Sequence, residues 1–179
     1  LFFLPLMFIF LAGNIDALRN CNLREVWLTF DGGYEFLMLS FYSVDLVFAC
    51  VGFLLTIRLF DSHIRSTEPS LLGWFVALAC YTPFSSVLDG NYLTYEDSWQ
   101  WWNWWQDNPM MYKVWGTPIL FLTFIYAWAT FQFGIRFSNL THRGILTNGP
   151  YRFTKHPAYV CKNLSWWLIS MPFLSTAGW

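Results

Sequence analysis

The stretch "VWGTPILFLTFIYAWATFQFG", from Val114 to Gly134, decides the fold class because it contains no charged residue. About 20 apolar residues are enough to cross the hydrocarbon core of a bilayer as a helix. Similar apolar windows occur at Leu1 to Ala12, Phe36 to Phe60, Leu71 to Leu88 and Leu164 to Trp179. The sequence therefore predicts an all-α, polytopic transmembrane helix bundle, with about five spans in a single membrane domain that covers residues 1–179.

The composition agrees with a membrane protein and excludes several other classes. Hydrophobic residues make up 56% of the chain and charged residues only 12%, against about 25% charged in an average soluble domain. The net charge of -1 predicts no nucleic-acid partner. The four cysteines are scattered, which predicts neither a disulfide framework nor a metal site.

The two ends of the chain lead us to expect a fragment. The chain begins with Leu1 and stops at Trp179 inside an apolar run, so the first and last windows look cut short. A cleavable signal peptide is the alternative interpretation of Leu1 to Ala12. We favour a truncated helix, since no basic segment precedes this window and no small-residue cleavage site clearly follows it.

The distribution of basic residues predicts the orientation in the membrane. The segment 135–163 has five basic residues and no acidic one, whereas the segment 89–113 has four acidic residues beside Lys113. The segment 61–70 contains Arg65, and Arg58 lies just before it. Short loops rich in Lys and Arg stay in the cytoplasm. We therefore expect 61–70, 135–163 and the N-terminus to be cytosolic in a multi-pass integral membrane protein.

Two features inside or beside the predicted spans have more than one interpretation. Asp45 lies in the second window, where a carboxylate is costly and often functional, although it would be ordinary if it lay within one turn of the outer surface. Trp101, Trp104 and Trp105 share one face at helical spacing. They favour an anchor at the headgroup level, and a platform that binds a sugar or a lipid is the alternative.

The segment "TNGPYRFTKHPAYVCKN", residues 147–163, is typical of a turn followed by a helix start. Gly149 allows a positive φ, and Pro157 suits the first turn of a helix, where no backbone N–H is needed. The helix would begin at about Pro157, with Thr154 or His156 near its N-cap, and continue into the fifth span. Its free N–H groups would form an anion site. Nearby cations and tyrosines suit a ligand with an anionic end and an aromatic base.

This segment resembles the cofactor segment of the isoprenylcysteine carboxyl methyltransferase family and its bacterial relatives. These integral membrane enzymes carry a Gly-x-Tyr-x-x-x-Arg-His-Pro-x-Tyr pattern. The similarity covers about Arg136 to Ser170, and before it only the topology is similar. Lys155 stands where the family usually has Arg, which keeps the charge and loses the planar fork. Cys161 stands where a Gly is common.

The resemblance implies that residues 135–163 form a cytosolic loop and helix start that bind S-adenosyl-L-methionine. It implies that the catalytic Arg and Glu of the family lie in a later segment, after residue 179, and that no metal takes part. The acceptor would be a lipid or a prenylated small molecule or protein, surrounded by membrane lipids. The residues implied to line the cofactor pocket are Arg143, Gly144, Ile145, Leu146, Tyr151, His156, Pro157, Ala158 and Tyr159.

Two alternatives to a methyltransferase stay open. Membrane sterol reductases carry a similar His-Pro-x-Tyr segment at a helix start and bind NADPH, so the same anion and ring contacts would serve them. A non-enzymatic membrane protein is the other alternative. In that case the basic residues of 135–163 would be topology signals, the tyrosines would be interfacial anchors and His156 would be an ordinary polar residue.

Overall fold

The computed structural model describes residues 3–88, 92, 99–138 and 140–170, and these residues are mainly helical. The α-helices are α1 (Phe3–Asn20), α2 (Leu23–Leu28), α3 (Phe30–Leu54), α4 (Leu71–Ala79), α5 (Phe84–Leu88), α6 (Trp101–Trp105), α7 (Pro109–Phe133) and α8 (Pro157–Ser170). Single 3-10 turns occur at Arg58–Phe60, Gly134–Arg136 and Gly149–Arg152, and the strands β1 (Ser66–Thr67) and β2 (Thr141–His142) have two residues each. The predicted all-α class is confirmed.

Two of the described helices, α3 and α7, are long and apolar enough to cross a membrane. Each begins at a side-chain cap. The Thr29 hydroxyl accepts from the Gly32 amide at 3.0 Å, and the side-chain oxygen of Asn108 accepts from the Met111 amide at 3.1 Å. These contacts satisfy N–H groups that a helix leaves unpaired at its start. The two helices are consistent with membrane association, whereas a bundle of five spans is not confirmed.

The predicted span Leu71 to Leu88 is not one helix. Helix α4 ends at Ala79, and α5 begins only at Phe84. Pro83 lies directly before α5, and a proline removes a backbone donor and clashes with the preceding turn of a helix. Both helices are too short to span. The hydrophobicity of the window led to the prediction of one spanning helix. Pro83 lies within the window and indicates an interrupted helix.

Helices α1, α3, α7 and α8 pack side by side, some antiparallel and some parallel. Phe3 at the start of α1 lies 6.2 Å, ring centroid to ring centroid, from Phe53 at the end of α3. Trp115 in the first half of α7 donates its indole N–H to the carbonyl of Leu168 near the end of α8, at 3.0 Å. The pairs α1/α3 and α7/α8 are therefore antiparallel, whereas α3 and α7 run parallel, since Phe30 lies 5.9 Å from Tyr112 at their starts and Phe48 lies 5.6 Å from Phe131 near their ends.

The bundle has two chemically different ends. At one end β1 pairs antiparallel with β2, with Ser66 opposite His142. This pairing brings together the segments 61–70 and 135–163, which the charge distribution assigned to one side of the membrane. The tryptophans of α6 are at the other end, where the fully buried Trp101 ring lies 5.1 Å from Tyr34 and 4.5 Å from Tyr112. The paired loops and the tryptophans thus lie at different ends of the bundle.

We expected the face shared by Trp101, Trp104 and Trp105 to be an anchor at the membrane interface, but in the structure this face points into the protein. Trp101 is buried, and Trp104 and Trp105 are partly buried against the ends of α3, α7 and α8. Trp102, on the other side of α6, is 43% exposed. The face formed by the other three therefore packs inside the protein, because the ends of three helices supply an apolar surface there.

Candidate functional site

The turn before α8 has the local structure that its residues favour. Gly149 has φ of +56°, in the left-handed region that glycine adopts without strain, and the 3-10 turn Gly149–Arg152 follows. Helix α8 begins at Pro157, as predicted. The amide of Val160 donates to the carbonyl of His156 at 3.1 Å, so the first helical hydrogen bond closes on His156. The amides of the preceding residues have no partner inside the helix.

Three of the predicted pocket residues are aromatic and lie in or beside this helix start. The exposed His156 ring lies 6.1 Å from the Tyr159 ring. The Tyr151 ring lies 6.0 Å from Phe133 at the end of α7. Burial raises the pKa of Tyr151 to about 12, with a further contribution from Tyr159. The Tyr151 hydroxyl is therefore neutral at physiological pH and available as a hydrogen-bond donor.

The remaining members at the helix start differ in accessibility. Pro157 is buried, Ala158 is partly buried and Tyr159 is 65% exposed. Phe153, in the turn before the helix, is 86% exposed. The helix start thus presents aromatic rings to the surroundings, while Pro157 packs against the rest of the protein.

Arg143 does not point toward this aromatic group. Its side chain is buried, and its guanidinium donates to the Gly52 carbonyl at 2.5 Å and to the Thr56 hydroxyl at 3.0 Å. Burial lowers the pKa of Arg143. The carbonyl groups at the end of a helix need external donors. Arg143 supplies one, and its hydrogen bonds hold residues 141–146, which we call the 141–146 strip, against the end of α3.

The other members of the predicted strip lie around Arg143. Gly144 has φ of +125°, and a Cβ atom built on it would lie 3.6 Å from the Arg65 guanidinium carbon and 3.7 Å from a guanidinium nitrogen of Arg136. Ile145 is 81% exposed and Leu146 is partly buried. No hydrogen bond or ring contact among the described residues joins this strip to Tyr151, His156 or Tyr159. The structure thus arranges the predicted pocket residues in two groups.

The two arginines beside Gly144 share one carboxylate, which sequence reasoning did not identify. Asp61 accepts from Arg65 at 2.9 and 3.1 Å and from Arg136 at 2.7 Å. The Arg65 hydrogen bond, followed by the charges of Arg65, Arg136 and His63, holds the pKa of Asp61 below its usual value. Residues Arg65 and Arg136 are far apart in the sequence, so only the pairing of the two loops reveals this contact.

A second polar group lies between α3, α7 and α8. Asp45 is buried and its Oδ1 atom accepts from the Thr130 hydroxyl at 3.0 Å. On the facing helix, the Lys162 ammonium lies 3.5 Å from the Tyr126 hydroxyl. Because α3 begins at Phe30, Asp45 lies about four turns from that helix end. Asp45 is therefore not within one turn of either end of α3.

The polar group is completed by an aromatic pair. The Trp166 indole N–H donates to the Tyr42 hydroxyl at 3.1 Å, and the Trp166 ring centroid lies 4.9 Å from the Lys162 ammonium. We call this set the interhelical polar cluster; its members are Tyr42, Asp45, Tyr126, Thr130, Lys162 and Trp166. Asp45 was the only signal of this cluster in the sequence, because its partners lie on other helices.

Comparisons with known proteins add no assignment. No family model, no curated protein and no solved structure matches the chain.

Proposed function

We propose that the protein is an S-adenosylmethionine-dependent methyltransferase that acts on a lipid-bearing acceptor, by carboxyl methylation of the isoprenylcysteine type. One observation supports this proposal most strongly. The residues that resemble the family motif form a glycine turn that contains Tyr151 and a helix start at which the His156 and Tyr159 rings lie 6.1 Å apart. The resemblance and the local geometry thus point to the same few residues.

The helix start has the chemistry that this cofactor requires. The first-turn amides of α8, at Ala158 and Tyr159, would hold a carboxylate. Exposed Arg152 and Lys155 add positive charge, and the segment 135–163 contains no acidic residue. The rings of Tyr151 and Tyr159 are suited to stack on a planar base. These residues therefore fit a ligand that combines a carboxylate with an adenine.

The protein has a limited chemical task in this reaction. Bound S-adenosylmethionine supplies an activated methyl group, so the residues around it need to align the acceptor and exclude water. A carboxylate acceptor is already nucleophilic and needs no base. An amine acceptor would need one, and the exposed His156 is the candidate in this segment.

The surroundings of the site favour a lipid acceptor. The helix start is at the end of the bundle where the basic loops pair, which we propose to be cytosolic, and α3 and α7 would cross the bilayer. The cofactor would enter from the cytosol, and the acceptor tail would enter laterally from membrane lipid. The reaction would thus take place at the boundary between water and hydrocarbon.

Substitution of the aromatic group tests the proposed pocket. In the full-length protein, we expect Tyr151→Ala and His156→Ala each to weaken S-adenosylmethionine binding by roughly 5- to 150-fold, because each removes a stacking or polar contact. Binding is measured by calorimetry in detergent. Trp102→Ala is the control, since Trp102 is an exposed aromatic residue at the other end. Unchanged affinity in both loop variants would refute the site, and equal losses in all three would indicate unfolding.

A further inference from the structure

Lys162 is a cation within the bundle whose hydrogen-bonding capacity is only partly used. Its ammonium lies 5.1 Å from the Tyr126 ring centroid and 4.9 Å from that of Trp166, and 3.5 Å from the Tyr126 hydroxyl. A lysine has three N–H donors. Among the ion pairs of the described residues, none places a carboxylate within 4.0 Å of Lys162. The rings stabilise the positive charge and leave donors available.

Asp45 does not accept a hydrogen bond from the Lys162 ammonium. Its carboxylate accepts from Thr130, whereas the Lys162 ammonium lies 3.5 Å from the Tyr126 hydroxyl. Asp45 and Lys162 belong to the same cluster, but the ion pairs of the described residues include none between them. An ionisable side chain within a membrane bundle is costly and usually marks a pathway or a binding site. The cluster therefore retains a cation that a second anion can contact.

Lys162 lies next to the proposed cofactor site, further along α8 toward the middle of the bundle. It is the sixth residue of α8, about 7.5 Å along the helix axis from Pro157. Tyr159 and Lys162 are three residues apart and so lie on the same side of the helix. Trp166, one turn further on, is 47% exposed. Lys162 is thus positioned between the water-facing loop and the apolar part of the bundle, with lateral access past Trp166.

We propose that Lys162 binds the anionic headgroup of the lipid acceptor and selects carboxylate-bearing lipids over neutral or cationic ones. This role rests on the proposed function, because it places the acceptor on the membrane side of the methyl donor. Lys162 would hold the carboxylate near the helix start through a charge-assisted hydrogen bond. The acyl or prenyl chain would extend along the exposed surface beside Trp166.

A photoreactive oleate analogue provides the test. The full-length protein is reconstituted in phosphatidylcholine nanodiscs and labelled in competition with oleate, methyl oleate or oleylamine. We expect oleate to compete and the two others to be at least about tenfold weaker, because only oleate carries a headgroup anion. We expect Lys162→Gln to weaken oleate competition by about tenfold or more and Lys162→Arg to retain most of it. Lys113→Gln, an exposed lysine at the other end, is the matched control.

The outcomes separate this inference from the proposed function. Equal competition by oleate and methyl oleate in the wild-type protein would overturn the role of Lys162, and so would labelling only outside α3, α7 and α8. These two readouts need no variant, so they hold even if Lys162→Gln fails to fold. Lys162-dependent oleate binding without S-adenosylmethionine binding would support this site and reject the methyltransferase. Cofactor binding with oleate competition independent of Lys162 would do the reverse.

Discussion

At the scale of single residues, Asp61 shows how charge joins two distant loops. Its carboxylate receives hydrogen bonds from Arg65 and Arg136, one from each paired segment. The pKa of Asp61 is lowered mainly by the Arg65 hydrogen bond. A lowered carboxyl pKa means that the folded state favours the ionised form. The stabilising contribution is therefore present above the unfolded pKa, about 3.9, and is lost as the pH falls through the lower folded value.

We expect Asp61→Asn to loosen the pairing of β1 and β2 without straining the backbone. Asp61 has φ of +49°, a conformation that Asn also tolerates. In hydrogen–deuterium exchange at neutral pH, the amides of Arg65 and Glu68, which donate to the carbonyls of His142 and Leu140, should exchange faster by roughly two- to fivefold, as for an exposed ion pair.

The control and the pH dependence make this expectation specific. Asp16→Asn, which removes an exposed carboxylate on α1, should leave both amides unchanged. Wild-type protection, corrected for intrinsic exchange, should be constant between about pH 5 and 8, since this whole window lies above the unfolded pKa. A loss of wild-type protection within that window would contradict the role of Asp61.

At the scale of elements, the end of α3 is fitted closely to the loop before β2. A Cβ atom built on Gly52 would lie 2.7 Å from the backbone oxygen of Phe137, and the Gly52 carbonyl accepts from Arg143. Contacts of this length do not occur for real Cβ atoms, so one of the two elements would have to move. Gly52 therefore allows the close approach that positions the whole 141–146 strip.

We expect Gly52→Ala to destabilise the protein by about 1–3 kcal/mol through overpacking. The measurement is reversible unfolding in detergent by a denaturant titration. Gly13→Ala on α1 is the matched control, because a Cβ atom there meets no atom within 4 Å. We expect this control to be stabilised by about 0.5–1 kcal/mol, because Ala favours a helix interior more than Gly does. Equal effects of the two substitutions would show that the contact at Gly52 has no particular energetic role.

The elements also show what the sequence could predict. The apolar window Val114 to Gly134 and the Pro157 helix start were found correctly, since both depend on local composition and on proline geometry. The apolar window Phe36 to Phe60 only approximates α3, which begins at Phe30 after the Thr29 cap and ends at Leu54. The Leu71 to Leu88 window was misjudged because overall hydrophobicity outweighed its internal proline. Hydropathy does not report helix continuity.

The candidate site was predictable only in part, for a related reason. Tyr151, His156 and Tyr159 are near in sequence, so their grouping at one helix start followed from local turn chemistry. Arg143 was expected to contact a ligand but binds the end of α3, a partner that only tertiary contacts reveal. The same holds for Lys162, whose partner Tyr126 is on α7. Contacts between distant residues have no signature in local composition.

At the scale of the whole molecule, the two ends of the bundle differ in the residues that they carry. One end pairs the basic loops and carries the aromatic helix start, and the interhelical polar cluster with Lys162 lies about one and a half turns inside α8. At the other end the buried Trp101 packs with the partly buried Trp104 and Trp105. In the proposed function the cofactor would enter from the first end and the lipid from the membrane.

Transfer of a radioactive methyl group tests the central claim most directly. The full-length protein, in nanodiscs that contain carboxylate-bearing prenyl lipids, is incubated with S-adenosylmethionine labelled in its methyl group. We predict label in the organic extract, a large loss of it in His156→Ala and no change in Trp102→Ala. NADPH should neither compete nor be oxidised. Oxidation of NADPH by the protein, with no label in the lipid fraction, would contradict the methyltransferase and favour a reductase.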